Sequence, residues 1–268
     1  MSEESMRMAS KMDKFEEEID YKILASSISE SEIILLDWPS VLSKIKLHEG
    51  GIWANEGKLQ LGVVDARVVS IDVNLVNADK IVSVELLVYS EKNMDALNKL
   101  LDKIELSSSR LVNFRRIKDG PGDLFLVRKD PNDKSKCIMV YNNALIDITT
   151  QSTTDVTQFA YYLFNVMQNA LQNKAQVVPP DINIGVSKHN INVGDEFTTT
   201  VDVLTSNSQD WKVDITDWPE EGLDILASSS NSYTFRATEL GSYQIDFNIY
   251  HEKTLISYSK KIHINVIR

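Results

Sequence analysis

Two adjacent prolines, Pro179 and Pro180, divide this chain into halves that cannot share one hydrophobic pattern. Proline fixes its own backbone, removes a donor and pushes the preceding residue out of the helical region, so a helix arriving at Ala175-Gln176-Val177-Val178 must stop there. Before the pair, helical and strand periods alternate. After it, the pattern is strand and turn almost throughout. The sequence therefore reads as a first domain over residues 1–176, an extended linker at 177–180 and a second domain over 181–268. With 268 residues, 43% of them apolar and 25% charged, the chain can bury two cores.

In the first domain, Met8, Met12, Phe15 and Ile19 recur at three- and four-residue spacing within a charged stretch, which predicts an amphipathic helix over residues 4–21. Pro39 interrupts the helical spacing of residues 31–47 and predicts a turn or short strand followed by a short helix. Residues 59–75 and 81–89 alternate as two neighbouring strands joined at Asn77-Ala78-Asp79-Lys80. Met94, Leu97, Leu100, Leu101 and Ile104 then predict a helix capped by Ser90 or Asn93. Strands at 111–117, 124–128, 137–141 and 145–148 form an antiparallel meander, with Asn142-Asn143 as its tightest turn. A last helix, capped by Thr154 or Asp155, carries Val156, Phe159, Ala160, Leu163, Phe164, Met167 and Leu171 on one face. The expectation is an α+β domain, an antiparallel sheet with packed helices.

In the second domain, strand runs at 182–186, 197–204, 211–215, 224–227, 232–237, 242–250 and 256–266 have the spacing of a sandwich. Glu239-Leu240-Gly241-Ser242-Tyr243-Gln244-Ile245 has the acidic-x-Gly-x-Tyr-x-apolar order of the corner that leads into a sandwich's sixth strand. Together with the Asn192-Val193-Gly194-Asp195 turn and Trp211, this makes residues 181–268 resemble a bacterial immunoglobulin-like domain. The resemblance implies an all-β immunoglobulin-like sandwich in which Trp211 is the core tryptophan of the third strand. It also implies that Tyr243 is a corner tyrosine whose hydroxyl bonds backbone a few residues upstream. Ile245 stands where disulfide-bonded relatives have a cysteine, with Val201 or Val203 in place of its partner. The likeness covers about a third of the chain and speaks to fold, because the same sandwich serves unrelated tasks. Residues 1–175 resemble no named family.

The formal net charge of −11 argues against nucleic acid or an anionic membrane as the main partner. Arg115-Arg116-Ile117-Lys118 is the one compact cationic cluster, and its plain reading is a solvated strand end. The single cysteine, Cys137, excludes an intramolecular disulfide and reads as a buried structural thiol. No run of 18 apolar residues provides a membrane span, and the acidic N-terminus is unlike a signal peptide, although a removed signal or lipid anchor would leave no trace.

Chemistry-bearing patterns are sparse. His48, His189, His251 and His263 lack metal spacing, although His251 and His263 lie on the last two strands and could face each other across a ladder. Asp119-Gly120-Pro121-Gly122-Asp123 has neither the Lys-Ser/Thr nor the helix of a phosphate loop, and Asp119, Asp123, Asp130 and Asp133 offer a weak calcium alternative to solvated acidic turns. No catalytic, cofactor-binding or metal residues are assigned, and no cofactor is expected. Trp53 and Trp218 are the candidate ligand or partner contacts, since an aromatic side chain on a turn can present its face to a glycan or protein. The leading expectation is a non-catalytic binding or assembly protein of the bacterial envelope or exterior, whether secreted, periplasmic or cell-surface, with a protein or glycan partner. The alternative is a hydrolase with a carboxylate site in the first domain and the sandwich as accessory. A third reading makes the Met-rich N-terminal helix an oligomerisation element.

Overall fold

The computed structural model describes residues 14–22, 24, 26, 33, 35–44, 54, 55, 60–65, 68–77, 80–89, 100, 114–151, 155–171, 177, 179–188 and 190–268. The chain divides into two compact units, with the main division between Ala175 and Gln176 and with Val63–Val69 assigned to the second.

In the first unit residues 14–18 are helical, and Phe15 and Ile19 are buried. Helix α1 (Trp38–Lys44) starts where the Asp37 carboxylate accepts a hydrogen bond from the Ser40 N–H at 2.9 Å. Pro39 thus sits in the first turn, where its missing donor costs nothing. The strands are β1 (Ala54–Asn55), β2 (Gln60–Asp65), β3 (Val68–Asn77), β4 (Lys80–Tyr89), β5 (Phe114–Arg116), β6 (Leu124–Arg128), β7 (Lys136–Tyr141) and β8 (Ala144–Thr150). They form one eight-stranded sheet in the order β1-β3-β4-β8-β7-β6-β5, with β2 paired to β3. The β7–β8 turn places Asn142 at φ 53°, and the Asp123 carboxylate accepts from its N–H at 2.6 Å. Asparagine tolerates that left-handed conformation better than most residues, which suits Asn142-Asn143 to so tight a turn. Leu124-Phe125-Leu126-Val127 on β6 and Cys137-Ile138-Met139-Val140 on β7 are buried without alternation. Both faces of the sheet are therefore covered at this point.

Helix α2 (Val156–Ala170) packs against β7 and β8. The Asp155 carboxylate accepts from the Thr157 N–H at 3.0 Å, so of the two expected caps the aspartate serves. Val156, Phe159, Ala160, Leu163 and Met167 are buried along one stripe.

The expected α+β class does not hold. The chain is mostly strand, 50% against 19% helix, and among the described residues of the first unit those in strands β1–β8 outnumber helical ones. Residues 59–75, read as one strand, form two, β2 and β3. The short helix expected at Pro39 is α1, seven residues long. Of the helix expected at 94–104, Leu100 alone is described; the rest lies outside the described residues. The described helices fall where the spacing placed them, and the class fails because strands outweigh them.

The second unit contains β9 (Asp181–Val186), β10 (Ile191–Asn192), β11 (Glu196–Leu204), β12 (Trp211–Asp217), β13 (Leu223–Ser228), β14 (Ser232–Ala237), β15 (Gly241–His251) and β16 (Ser257–Ile267). They form two four-stranded sheets, β13-β14-β11-β9 and β10-β16-β15-β12. All pairings are antiparallel except β10 with β16, so the chain changes sheets between β9 and β10. Gly194 (φ 89°) makes the turn into β11. Inward residues of both sheets, among them Val201, Phe197, Phe235, Val213, Ile245, Phe247 and Ile249, share one apolar core, so the unit is a β-sandwich. Val201 and Ile245 are both fully buried in it, which supplies apolar contact where a disulfide is absent. The Tyr243 hydroxyl lies 3.1 Å from the Glu239 carbonyl and 3.2 Å from that of Leu240, four and three residues upstream respectively.

Candidate functional site

Strand β12 is the outermost strand of its sheet, and its partner β15 lies on one side only. Alternation places Trp211, Val213 and Ile215 toward the core. Lys212 and Asp214 point to the other face, opposite Tyr250 and Asn248 of β15. A bulge between Ile215 and Asp217 ends this regular pairing. The chain then turns through Trp218-Pro219-Glu220-Glu221-Gly222, where the N–H groups of Gly222 and Leu223 both donate to the Pro219 carbonyl at 3.1 Å. Bulge and turn together bring Trp218 back over the sandwich edge, half-buried against the core.

A cleft of about 440 Å³ opens at this edge, between β12 and the β13–β14 turn. Its walls carry Trp218, Tyr233, Tyr250, Asp214, Lys212 and the serines 228–230. A second cleft of about 460 Å³ continues along β12 toward Trp211 and shares Lys212, Val213 and Ser230 with the first. Ser228, Ser229 and Ser230 are exposed in the β13–β14 turn.

Electrostatics here follow from burial. The Asp214 carboxyl is pushed above the usual carboxylate value by loss of water, an effect the hydrogen bond from the Tyr250 hydroxyl partly offsets. Burial, and then the neighbouring Asp214 charge, push the Tyr250 phenol up. Burial followed by Asp214 takes Tyr233 up to about 12. Both phenols remain protonated donors at neutral pH. Lys212 is held at 3.4 Å by Glu252, so its charge is partly balanced at the rim.

Two backbone groups on the outer edge of β12 are already bonded. The Tyr233 hydroxyl donates to the Val213 carbonyl at 2.8 Å, and the Trp211 N–H donates to Ser208 at the end of the preceding turn. Such caps protect an edge from pairing with another strand.

Of the residues singled out in the sequence, Trp218 lies in the cleft, while Trp53 lies outside the described residues. Trp211 is buried, with its ring edge-on to His251 at 5.2 Å. His251 and His263 do not face each other: His263 pairs with Gln244, seven residues along β15 from His251, or roughly 24 Å at strand rise. The His251 Nδ1 instead meets the Thr254 N–H at 3.2 Å. Of the aspartates considered for calcium, Asp130 accepts from the Asn132 N–H at 2.9 Å and Asp133 from the Ser135 N–H at 3.1 Å in local turns, and Asp123 accepts from the Asn142 N–H at 2.6 Å. Among the described residues no group of three or more His, Cys, Asp and Glu is placed to hold a metal ion. Arg116 donates to the Ile19 carbonyl at 2.5 Å and pairs with Asp20 at 2.9 Å, so the basic cluster is partly neutralised. Cys137 is buried, its thiol pushed up chiefly by desolvation and placed 3.5 Å from the Val156 carbonyl. Burial and a raised thiol both oppose formation of the thiolate.

Sequence reasoning missed Asp214, Tyr233 and Tyr250. The only signal for Asp214 was the alternation of β12, which does not say what a polar side chain faces, while Tyr233 and Tyr250 are buried on β14 and β15.

No family model matches the chain. No curated protein matches it. Among solved structures, a polysaccharide lyase matches at 9% identity and a TM-score of 0.22, over 77% of this chain and 35% of that protein. The chain spans about a third of the lyase's length, and a likeness of this size defines neither fold nor activity here. No described helix is long and apolar enough to cross a membrane.

Proposed function

We propose that this chain is a non-catalytic binding or assembly protein of the bacterial cell envelope or exterior, with an immunoglobulin-like second domain over residues 181–268. Strand orders β13-β14-β11-β9 and β10-β16-β15-β12, with the chain switching sheets between β9 and β10, support the immunoglobulin-like reading. In that reading Tyr243 is the corner tyrosine and Trp211 the core tryptophan.

The observation that carries the functional reading is the composition of the Trp218 cleft. Its lining holds aromatic faces and hydroxyls with a single carboxylate, Asp214, and no histidine or cysteine. Glycoside hydrolysis needs two carboxyl groups flanking the scissile bond. A cleft with one carboxylate, held by a phenol that is itself a donor, lacks that pair, which supports a binding role over hydrolysis. Fractionation of the source cells tests the placement: the native protein is expected in the envelope or the medium, and recovery from the cytosol would overturn the reading.

A further inference from the structure

We infer that the Trp218 cleft is a subsite for a neutral saccharide, one or two sugar units of a longer glycan. The inference rests on the binding-protein reading above and names its ligand class.

Three features favour this class. The first is the pairing of aromatic with hydroxyl groups. Pyranose rings present an apolar C–H face and a rim of hydroxyls, and the cleft offers Trp218 as an apolar wall beside Asp214, Tyr250 and Ser228–Ser230 as hydrogen-bonding groups. Asp214 accepts, Lys212 donates, and serine hydroxyls do either, which suits a ligand whose every hydroxyl is both donor and acceptor.

The second is size. About 440 Å³ lies within the range of small-ligand sites, and the adjoining cleft along β12 leaves room for a chain to continue rather than end.

The third is what the site rejects. An extended peptide would join the sheet through the free edge of β12, but the Val213 carbonyl is taken by Tyr233 and the Trp211 N–H by Ser208. Anionic ligands meet the half-buried Asp214 carboxylate and a chain of net charge −11.

The test uses the full chain labelled with 15N. Cellohexaose, maltohexaose, xylohexaose and mannohexaose are titrated separately, with oligogalacturonate as the anionic counterpart, and the tryptophan indole N–H resonances are followed. The Trp218 signal is assigned by its absence in Trp218→Phe. A saturable shift of that signal with at least one neutral hexaose is expected. Asp214→Asn is expected to weaken that binding by about tenfold, the scale of a lost central contact. No saturable shift at millimolar concentrations of any neutral hexaose would overturn the inference, and so would equal binding of oligogalacturonate or unchanged affinity in Asp214→Asn. Such failures leave the envelope placement untouched, since fractionation decides that separately.

Discussion

Substituting alanine for Gly222 should be among the most damaging single changes in the second unit, because the space for a side chain is already filled. A Cβ there would lie 2.2 Å from Cε1 and Cζ of Tyr243 and 2.5 Å from its hydroxyl oxygen. Gly241 borders the opposite ring edge, where a Cβ would stand 2.9 Å from Cζ and 3.3 Å from Cε2. The ring is therefore held between two glycines, and the Gly222 backbone is itself tied down by the Thr238 N–H at 3.0 Å. Restoring ordinary carbon contact of about 3.5 Å requires the ring to move by more than about 1 Å. That motion takes the hydroxyl off the Glu239 and Leu240 carbonyls, now at 3.1 and 3.2 Å. Loss of this hydrogen bonding costs about 1 kcal/mol. Overpacking adds about 1–3 kcal/mol, so the total is about 2–4 kcal/mol. Urea unfolding followed by tryptophan fluorescence reads the change, with Tyr243→Phe expected to show only the first component of about 1 kcal/mol. The decisive arm is Gly222→Ala in a Tyr243→Ala background, where the alanine should cost little because the ring is gone. A cost below about 0.5 kcal/mol for the single change, within the range of an ordinary surface substitution, would refute the reasoning, as would an undiminished cost in the double variant.

Tyr233→Phe should lower stability by about 1–2 kcal/mol by leaving the Val213 carbonyl without its 2.8 Å partner, and the exposed edge should raise aggregation during thermal unfolding, both readable by denaturation and light scattering. Asp155→Ala should cost about 1 kcal/mol through loss of the α2 cap. Burial raises the Asp155 carboxyl, but Lys134 at 2.7 Å and the bonds from Thr157 outweigh it and hold the folded value below the ordinary one. Its stabilisation is therefore complete above the unfolded carboxylate value of about 3.9 and is lost as pH falls through the folded one, so Asp155→Asn should flatten the acid limb of a stability–pH profile. Cys137 should resist a thiol-specific reagent in the native protein and react fully in denaturant; rapid native labelling would contradict its burial and raised thiol.

How much of this architecture the residues announced depends on whether each signal was local. Pro179 and Pro180 act on their own dihedrals, and the main division of the chain lies four residues before the first of them. The meander from β5 to β8 was legible because Asn142-Asn143 and the Asp130-Pro131 turn break an otherwise apolar run into strand-length pieces. Strand number was misread where the deciding interaction is remote. Residues 59–75 alternate as one strand, and their split into β2 and β3, paired with each other, leaves no strong turn pair in the sequence.

The cleft shows the same limit more sharply. Trp218 could be suspected because a tryptophan beside Pro219 on a turn is unusual where it stands. Asp214 could not, since nothing separates it locally from Asp202 or Asp224 on neighbouring strands. What distinguishes it is the register that sets Lys212 opposite Tyr250, and with it the phenol that donates to the Asp214 carboxylate. That register is fixed by the hairpin of β15 and β16 and by the bulge after Ile215, features more than 30 residues apart in the chain. A binding site on an antiparallel sandwich is assembled across strands, so its members share no spacing that a single sequence can display. The aromatic member betrays itself by its size; the polar members are recognised only once the pairing is known.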